Sequence, residues 1–340
     1  MKKALKNRIR ALLPAVLLCL FFAACAPEKE VTLKKTVYAM DTVMNLTVTG
    51  KNAEAALNEA EKEIFRLEAL LNRHKETSTV AQLNGSGSIE EEELAGLLTR
   101  VLEMSRSTDG AFDCTVAPLL DAWDISGKGR VPGEEEIASL LLKTGCEEKV
   151  QVEGGRITLA PGTCIDLGGA GKGYAGERVR AIYEKYGVTG SIALGGDNCL
   201  VGPKSAEAPL WRVGLRDPGS EDGLLGILTV TDTFTVTSGS YERFFTGEDG
   251  TVYHHILDPE TGSPARSGLV SVTVLTKDGV FADSLSTALF VMGADKAKVW
   301  LGEHPEVSAI LVTEDARVLY SASLAETFTP QNGSYTFETF

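Results

Sequence analysis

Between Asp166 and Gly173 the chain packs one carboxylate, four glycines and one lysine, in the run Asp166-Leu-Gly-Gly-Ala-Gly-Lys-Gly-Tyr174. A short apolar stretch precedes it and a helical pattern follows. Glycines let a backbone come close to a bulky anion, and successive amides at a helix start attract phosphate. The segment therefore reads as the floor of a site for a phosphate-bearing ligand. Its spacing is not that of a P-loop, and it does not show the dinucleotide fingerprint of a parallel βαβ unit.

An acidic chain needs help to hold such a ligand. The formal net charge is −14, and five of the cations (Lys2, Lys3, Lys6, Arg8, Arg10) sit in the first ten residues. This balance argues against nucleic acid as a partner and against electrostatic adhesion to anionic lipid. It points instead to a bound metal as the local cation for an anionic cofactor. The basic start, the apolar run Ala11 to Ala24 and the sequence Phe22-Ala-Ala-Cys25 read as a lipoprotein signal over 1–24. A lipidated Cys25 and a tether over 25–34 would then hold the protein on a membrane surface. An ordinary signal peptide or an uncleaved anchor are the alternatives. Of six cysteines, Cys114, Cys146, Cys164 and Cys199 lie beyond the leader with no CxxC pair, which disfavours zinc and leaves buried thiols or disulfides open.

The remaining pattern predicts one catalytic unit over 35–325 with a C-terminal tail over 326–340. Thr36 to Val48 reads as a strand pair or a long strand interrupted at Met40-Asp41. Leu57, Ala60, Ile64, Leu67 and Leu71 predict an amphipathic helix from about 52 to 73. Leu94, Leu97, Val101 and Met104 predict a second, stopped near Gly110. A hairpin turning at Gly154-Gly155, a helix over 173–186, a run of short strands from Ser191 to Val274, a helix over 281–292 ending at Gly293 and a last strand pair complete the reading. Helices packed on antiparallel sheets make the fold class α+β rather than doubly wound α/β.

Three further features bear on chemistry. His254-His255-Ile-Leu-Asp-Pro-x-Thr-Gly262 ends the β-rich part with two adjacent imidazoles, either a general base or a strand-end histidine satisfied by backbone. Asp283 and Thr287 are four apart, so they share a helical face. There a carboxylate and a hydroxyl can hold a hard cation such as Mg²⁺, or merely cap and solvate a first turn. A backbone carbonyl from the glycine-rich loop could complete the oxygen set. Met40-Asp-Thr, Gly110-Ala-Phe-Asp113 and Gly195-Gly-Asp197 each read alone as a turn.

Taken in order, Met40-Asp-Thr, Gly110-Ala-Phe-Asp, Asp166-Leu-Gly-Gly-Ala-Gly-Lys-Gly-Tyr, Gly195-Gly-Asp, Thr237-Ser-Gly-Ser-Tyr, His255-Ile-Leu-Asp-Pro-x-Thr-Gly and Ala282-Asp-Ser-Leu-Ser-Thr-Ala-Leu resemble the ApbE-type FAD:protein FMN transferases. The resemblance runs from about 35 to 320. It implies a T-fold-like α+β architecture, FAD as substrate, Mg²⁺ at the pyrophosphate, and transfer of FMN to a Thr or Ser hydroxyl of a partner protein with release of AMP. Redox-pump subunits or extracellular flavoproteins are the partners it suggests. Carried over by position, Met40, Ala111, Phe112, Asp113, Asp166, Lys172 and the backbone near Leu257 would form the FAD site. The Gly169 carbonyl, Asp283 and Thr287, with Ser286 as a weaker candidate, would hold the metal, and His255 would be the base. Met40 is followed by Asp where Gly is usual, Gly169 and Gly171 stand where Ala is frequent, and Ser286 stands where some relatives carry Asp. FAD hydrolysis to FMN and AMP, or flavin carriage without catalysis, are the rival functions.

Overall fold

In a computed structural model the described residues are 30–340 apart from residue 221, so the leader and Cys25 lie outside them. One nine-stranded sheet organises the chain, and its strands follow one another in space in the order they follow in sequence. They are β1 (Val31–Ala39), β2 (Thr42–Gly50), β3 (Thr189–Leu194), β4 (Asp197–Val201), β5 (Phe234–Gly239), β6 (Leu269–Thr276), β7 (Ser308–Thr313), β8 (Arg317–Tyr320) and β9 (Thr336–Thr339). Every neighbouring pair is antiparallel except β8 with β9. Four longer helices are inserted between strands: α1 (Ala53–Leu71), α2 (Glu92–Ser107), α3 (Gly171–Tyr186) and α4 (Gly279–Glu303). The α+β expectation therefore holds.

The pleat assigns the two faces. Along β7, Ala309 and Leu311 enter the main core while Ile310 and Val312 enter a second cluster, as a period of two requires. The main core lies between the sheet and the helices, with Leu57, Ala60, Ile64 and Leu67 of α1 and Leu285, Ala288 and Leu289 of α4 buried in it. The second cluster is closed by a three-stranded sheet of Trp211–Arg216, Leu224–Val230 and Phe328–Pro330. A third, small cluster holds Leu119, Trp123, Ile125 and Leu257.

Three expectations need correction. Residues 326–340 are not a tail. Phe328 is buried in the second cluster, its strand pairs with Leu224–Val230, and β9 pairs with β8, because the aromatic side chains there find apolar partners. The helix expected to end at Gly293 breaks there, at φ 78°, and then resumes to Glu303, since Ala297, Trp300 and Leu301 still have a core to bury in. Within the expected run of short strands, the stretch Tyr253 to Leu257, which reads as one strand, is interrupted at His255-Ile256, giving the pieces Val252–His254 and Leu257–Asp258. Four short helices, Thr79–Ser86, Ala117–Trp123, Glu134–Leu141 and Cys146–Lys149, lay beyond the periodicity, which needs more than two turns to declare itself.

Candidate active site

The site forms where the starts of α3 and α4 meet against β4 and β5. Their approach depends on missing side chains. A Cβ on Gly173 would fall 1.9 Å from the Gly279 carbonyl oxygen, and one on Gly279 would fall 2.4 Å from the Gly173 oxygen. Only glycine at both positions allows this crossing. It brings residues more than a hundred apart in sequence into contact: the Gly173 amide donates to Asp283 Oδ2 at 2.9 Å, and Lys172 Nζ lies 3.0 Å from Asp283 Oδ1. A Cβ on Gly169 would stand 2.9 Å from the Phe112 ring and 3.6 Å from Thr287 Oγ1. The glycine-rich loop, Phe112, Asp283 and Thr287 therefore converge as the sequence predicts.

A hydroxyl relay orients the far side. Ser286 Oγ donates to the Asp283 carbonyl at 2.9 Å, Ser238 Oγ lies 2.8 Å from Ser286 Oγ, and Thr287 Oγ1 lies 3.2 Å from Ser238 Oγ. With the Ser286 proton committed to the carbonyl, the network assigns the Ser238 proton to Ser286 and the Thr287 proton to Ser238. Thr287 is left presenting lone pairs, and it is the one half-exposed residue between two buried runs of α4. Ser286 is buried and turned toward Ser238, so the weaker metal candidate is a relay member that sets the hydroxyl of Thr287.

Lys172 is held by two carboxylates. Besides Asp283 it lies 2.9 Å from Asp197 Oδ2, an ion-pair distance off the direction of a good hydrogen bond. Asp197 Oδ1 accepts from the Thr237 amide at 2.8 Å. Burial pushes the Asp197 carboxyl up to about 6 against the pull of Lys172, and the neighbouring Asp283 adds to the rise. Burial also opposes the Lys172 charge, but Asp197 and Asp283 together outweigh it and hold the ammonium above the usual lysine range.

The two histidines separate by face. His254 is buried, with Nε2 at 3.0 Å from the Ala265 carbonyl and its ring edge-on to Phe290. His255 is half-buried on the other side, its Nδ1 3.2 Å from the Arg243 carbonyl oxygen. The Nδ1–H donor role this implies leaves the lone pair on Nε2. Desolvation lowers the His255 pKa to about 4, with the nearby Arg243, His254 and Lys172 adding to the fall and the Arg243 carbonyl opposing it. The imidazole is therefore neutral at ordinary pH. Arg243 also pairs with Asp41 at 2.9 Å. This fixes the turn of Met40 and Asp41, both left-handed at φ 52° and 56°, the primed-turn geometry that joins twisted strands. Met40 Cε reaches within 3.3 Å of a Cβ placed on Gly171. His255, Arg243, Asp41, Met40 and the loop form one continuous wall.

The other expected contacts are placed differently. Asp166 is engaged at both oxygens, accepting from the Gly168 amide at 2.7 Å and pairing with Arg73, which also holds Asp121. Asp113 is buried and accepts from the Thr115 amide and hydroxyl, both at 2.6 Å, and from the Gly145 and Cys146 amides at 2.8 and 3.2 Å. Its carboxylate is spent inside the protein and does not face a ligand. Ala111 packs against the main core, and Leu257 points into the small third cluster, which leaves only its backbone for the site. Asp113, Cys114 and Cys146 gather their ligand atoms within 4.8 Å, but with Asp113 saturated they make a poor metal centre. All four cysteines among the described residues are free thiols. Arg73, Asp197 and Ser238 were not assigned from sequence. Asp197 and Ser238 stand in quoted motifs, whereas nothing around Arg73 marks it.

The fold and this site define an α+β protein whose glycine-rich loop meets a carboxylate and hydroxyls at the starts of two helices, and comparison with known proteins assigns its family. The model of the ApbE family matches residues 40–311. The FAD:protein FMN transferase of Treponema pallidum is 32% identical over 314 residues, covering 84% of this chain and 85% of that protein, and the enzyme of the same name from Klebsiella pneumoniae is 31% identical over 291 residues, covering 83% and 90%. The structure of the ApbE protein of Thermotoga maritima superposes with a TM-score of 0.81 at 33% identity, covering 86% of this chain and 98% of that one. The flavinyl transferase ApbE of Pseudomonas stutzeri gives 0.75 at 25% identity, covering 90% and 96%. The chain belongs to the ApbE family.

Proposed function

We propose that this protein transfers FMN from FAD to a Thr or Ser hydroxyl of a target protein, releasing AMP, with Mg²⁺ as its bound ion. The observation that carries the reading is the convergence of Asp283, Thr287 and the Gly169 loop beside a neutral His255. The donor chemistry fits a hard cation: a carboxylate oxygen of Asp283, the hydroxyl oxygen of Thr287 and the backbone oxygens of the loop that packs against Thr287 at Gly169 are all hard ligands. A bound Mg²⁺ would neutralise charge on the pyrophosphate and polarise the phosphorus under attack.

The chain's own residues do the rest. The Gly169 amide and Lys172 receive phosphate oxygens, the Gly168 amide being spent on Asp166 and the Ala170 and Gly171 amides on the Leu167 carbonyl, and the Met40–Phe112 wall seats the flavin side. His255 Nε2 takes the proton of the acceptor hydroxyl as its oxygen forms a bond to the FMN-side phosphorus. The bond from that phosphorus to the AMP phosphate breaks, and AMP carries away the bonding pair. Positioning and electrostatics supply most of the acceleration.

The targets fitting this chemistry are flavoproteins such as redox-pump subunits or extracellular electron carriers. The leader supports action on the extracytoplasmic face from a lipid anchor on Cys25. In the deciding experiment, the protein, FAD, Mg²⁺ and candidate acceptors are incubated and acceptors are scored by in-gel flavin fluorescence and mass gain. Acceptor labelled with FMN, with stoichiometric AMP, is the expected result. Free FMN and AMP without labelling would make the enzyme a hydrolase, and FAD recovered intact would make it a carrier. Replacing Cys25 with Ser should move the protein from the membrane to the soluble fraction.

A further inference from the structure

Asp283 has one oxygen to give a cation, and Lys172 holds it. Its Oδ2 accepts from the Gly173 amide, whereas Oδ1 lies 3.0 Å from Lys172 Nζ. A divalent ion binding Oδ1 must compete with that ammonium, because two cations cannot share one buried oxygen at short range without strong repulsion. One other carboxylate is within reach of Nζ. Asp197 Oδ2 is buried, lies 2.9 Å from Nζ and has no well-directed hydrogen bond. The Thr237 amide fixes this carboxylate through Oδ1 at the end of β4, so it does not move with the ligand.

We propose that Lys172 is a resident stand-in cation and Asp197 its berth. In the metal-free protein the ammonium bridges Asp283 and Asp197; when the divalent ion arrives, Lys172 leaves Asp283 and settles on Asp197. The inference rests on the metal reading above and adds a positioning role for Asp197, which touches neither substrate nor ion. The bridge keeps two buried carboxylates from facing each other uncompensated before the ion binds. After the exchange, the amine is held beside the loop where a phosphate oxygen can meet it.

The test reads metal binding, not turnover. Mn²⁺, which favours oxygen ligands, is titrated into the FAD-free full-length protein and followed by electron paramagnetic resonance, and the Mn²⁺-bound structure is determined. Wild type should bind Mn²⁺ with Lys172 still at Asp197 and beyond ion-pair distance of Asp283. D197N, which removes the berth and leaves the ammonium on Asp283, should bind Mn²⁺ about tenfold more weakly. A bound ion with Lys172 still on Asp283, or D197N binding as tightly as wild type, overturns the proposal while leaving the metal reading standing. No Mn²⁺ bound by wild type, with or without FAD, overturns both. Should D197N not fold, K172M decides: without the resident ammonium it should bind Mn²⁺ severalfold more tightly, and equal or weaker binding refutes the stand-in.

Discussion

Two buried carboxylate clusters in this protein are held in opposite ways. Asp113 accepts four hydrogen bonds, three from backbone amides and one from the Thr115 hydroxyl, all neutral and none of them on a long flexible arm. Asp283 and Asp197 each accept one backbone amide and share a lysine for the remainder. A carboxylate saturated by fixed dipoles is committed to the fold, because removing any donor leaves a buried group unpaired. One neutralised by a movable ammonium can exchange it for another cation. The comparison explains why two conspicuous Asp-containing motifs have different fates, one pinning the loop that presents Phe112 and the other left with an oxygen held only by a lysine.

The contrast is broken most severely by removing Asp283. Replacing Asp283 with Ala should lower FMN transfer per folded molecule by roughly 10³-fold or more, since the preorganised charge at the phosphates is lost, and should also lower the unfolding midpoint in urea, because the buried Gly173 amide loses its acceptor. Turnover within tenfold of wild type would remove Asp283 from the metal set. His255→Ala comes next: loss of the general base should cost on the order of 10²–10⁴-fold with FAD affinity by fluorescence quenching unchanged, whereas His254→Ala should cost stability through lost packing and spare the chemistry of the folded protein. A reversed pattern would exchange the roles of the two imidazoles.

Asp113→Ala sharpens the other half of the comparison. Leaving buried donors unpaired should destabilise the fold by about 3 kcal/mol, read by urea denaturation, with transfer per folded molecule within a few-fold of wild type; a large loss of rate at full stability would place Asp113 at the ligand after all. The smallest expected effect is on pH. With the His255 pKa lowered to about 4, its base form is already present at pH 5.5, so kcat/KM should show no histidine inflection between about pH 5.5 and 8. The stability consequence has the opposite sense to a paired histidine: the unfolded chain binds a proton near 6.5 that the folded chain refuses, so stability is full above that pH and declines as pH falls from there toward 4. A rate inflection near 6.5 would show that His255 is solvated like a model imidazole.

Much of the scaffold was legible because it repeats over many residues. The stripe of Leu57, Ala60, Ile64 and Leu67 declares α1, and the alternation through Met44, Leu46 and Val48 declares β2, since burial imposes its period on the residues themselves. The ordered motifs likewise named His255 and the glycine-rich loop, Asp283 and Thr287, and the last three are brought together by the fold. The short helices after Asn72 escaped it because they are too brief to show a period, and the return of residues 326–340 to the sheets and the restart of α4 beyond Gly293 escaped it because each depends on a distant apolar partner.

From the order of its residues alone, then, the chain determined an α+β scaffold, a glycine-rich loop at a helix start and a set of chemically competent side chains. Only the tertiary structure decided which oxygens were still free. It spent Asp113 on amides 32 and 33 positions away, turned Ser286 toward Ser238, paired Asp166 with Arg73 and set Lys172 between Asp197 and Asp283. The reason is physical: a residue type fixes how many hydrogen bonds and charges a side chain can offer, but three-dimensional packing fixes which neighbours take them up.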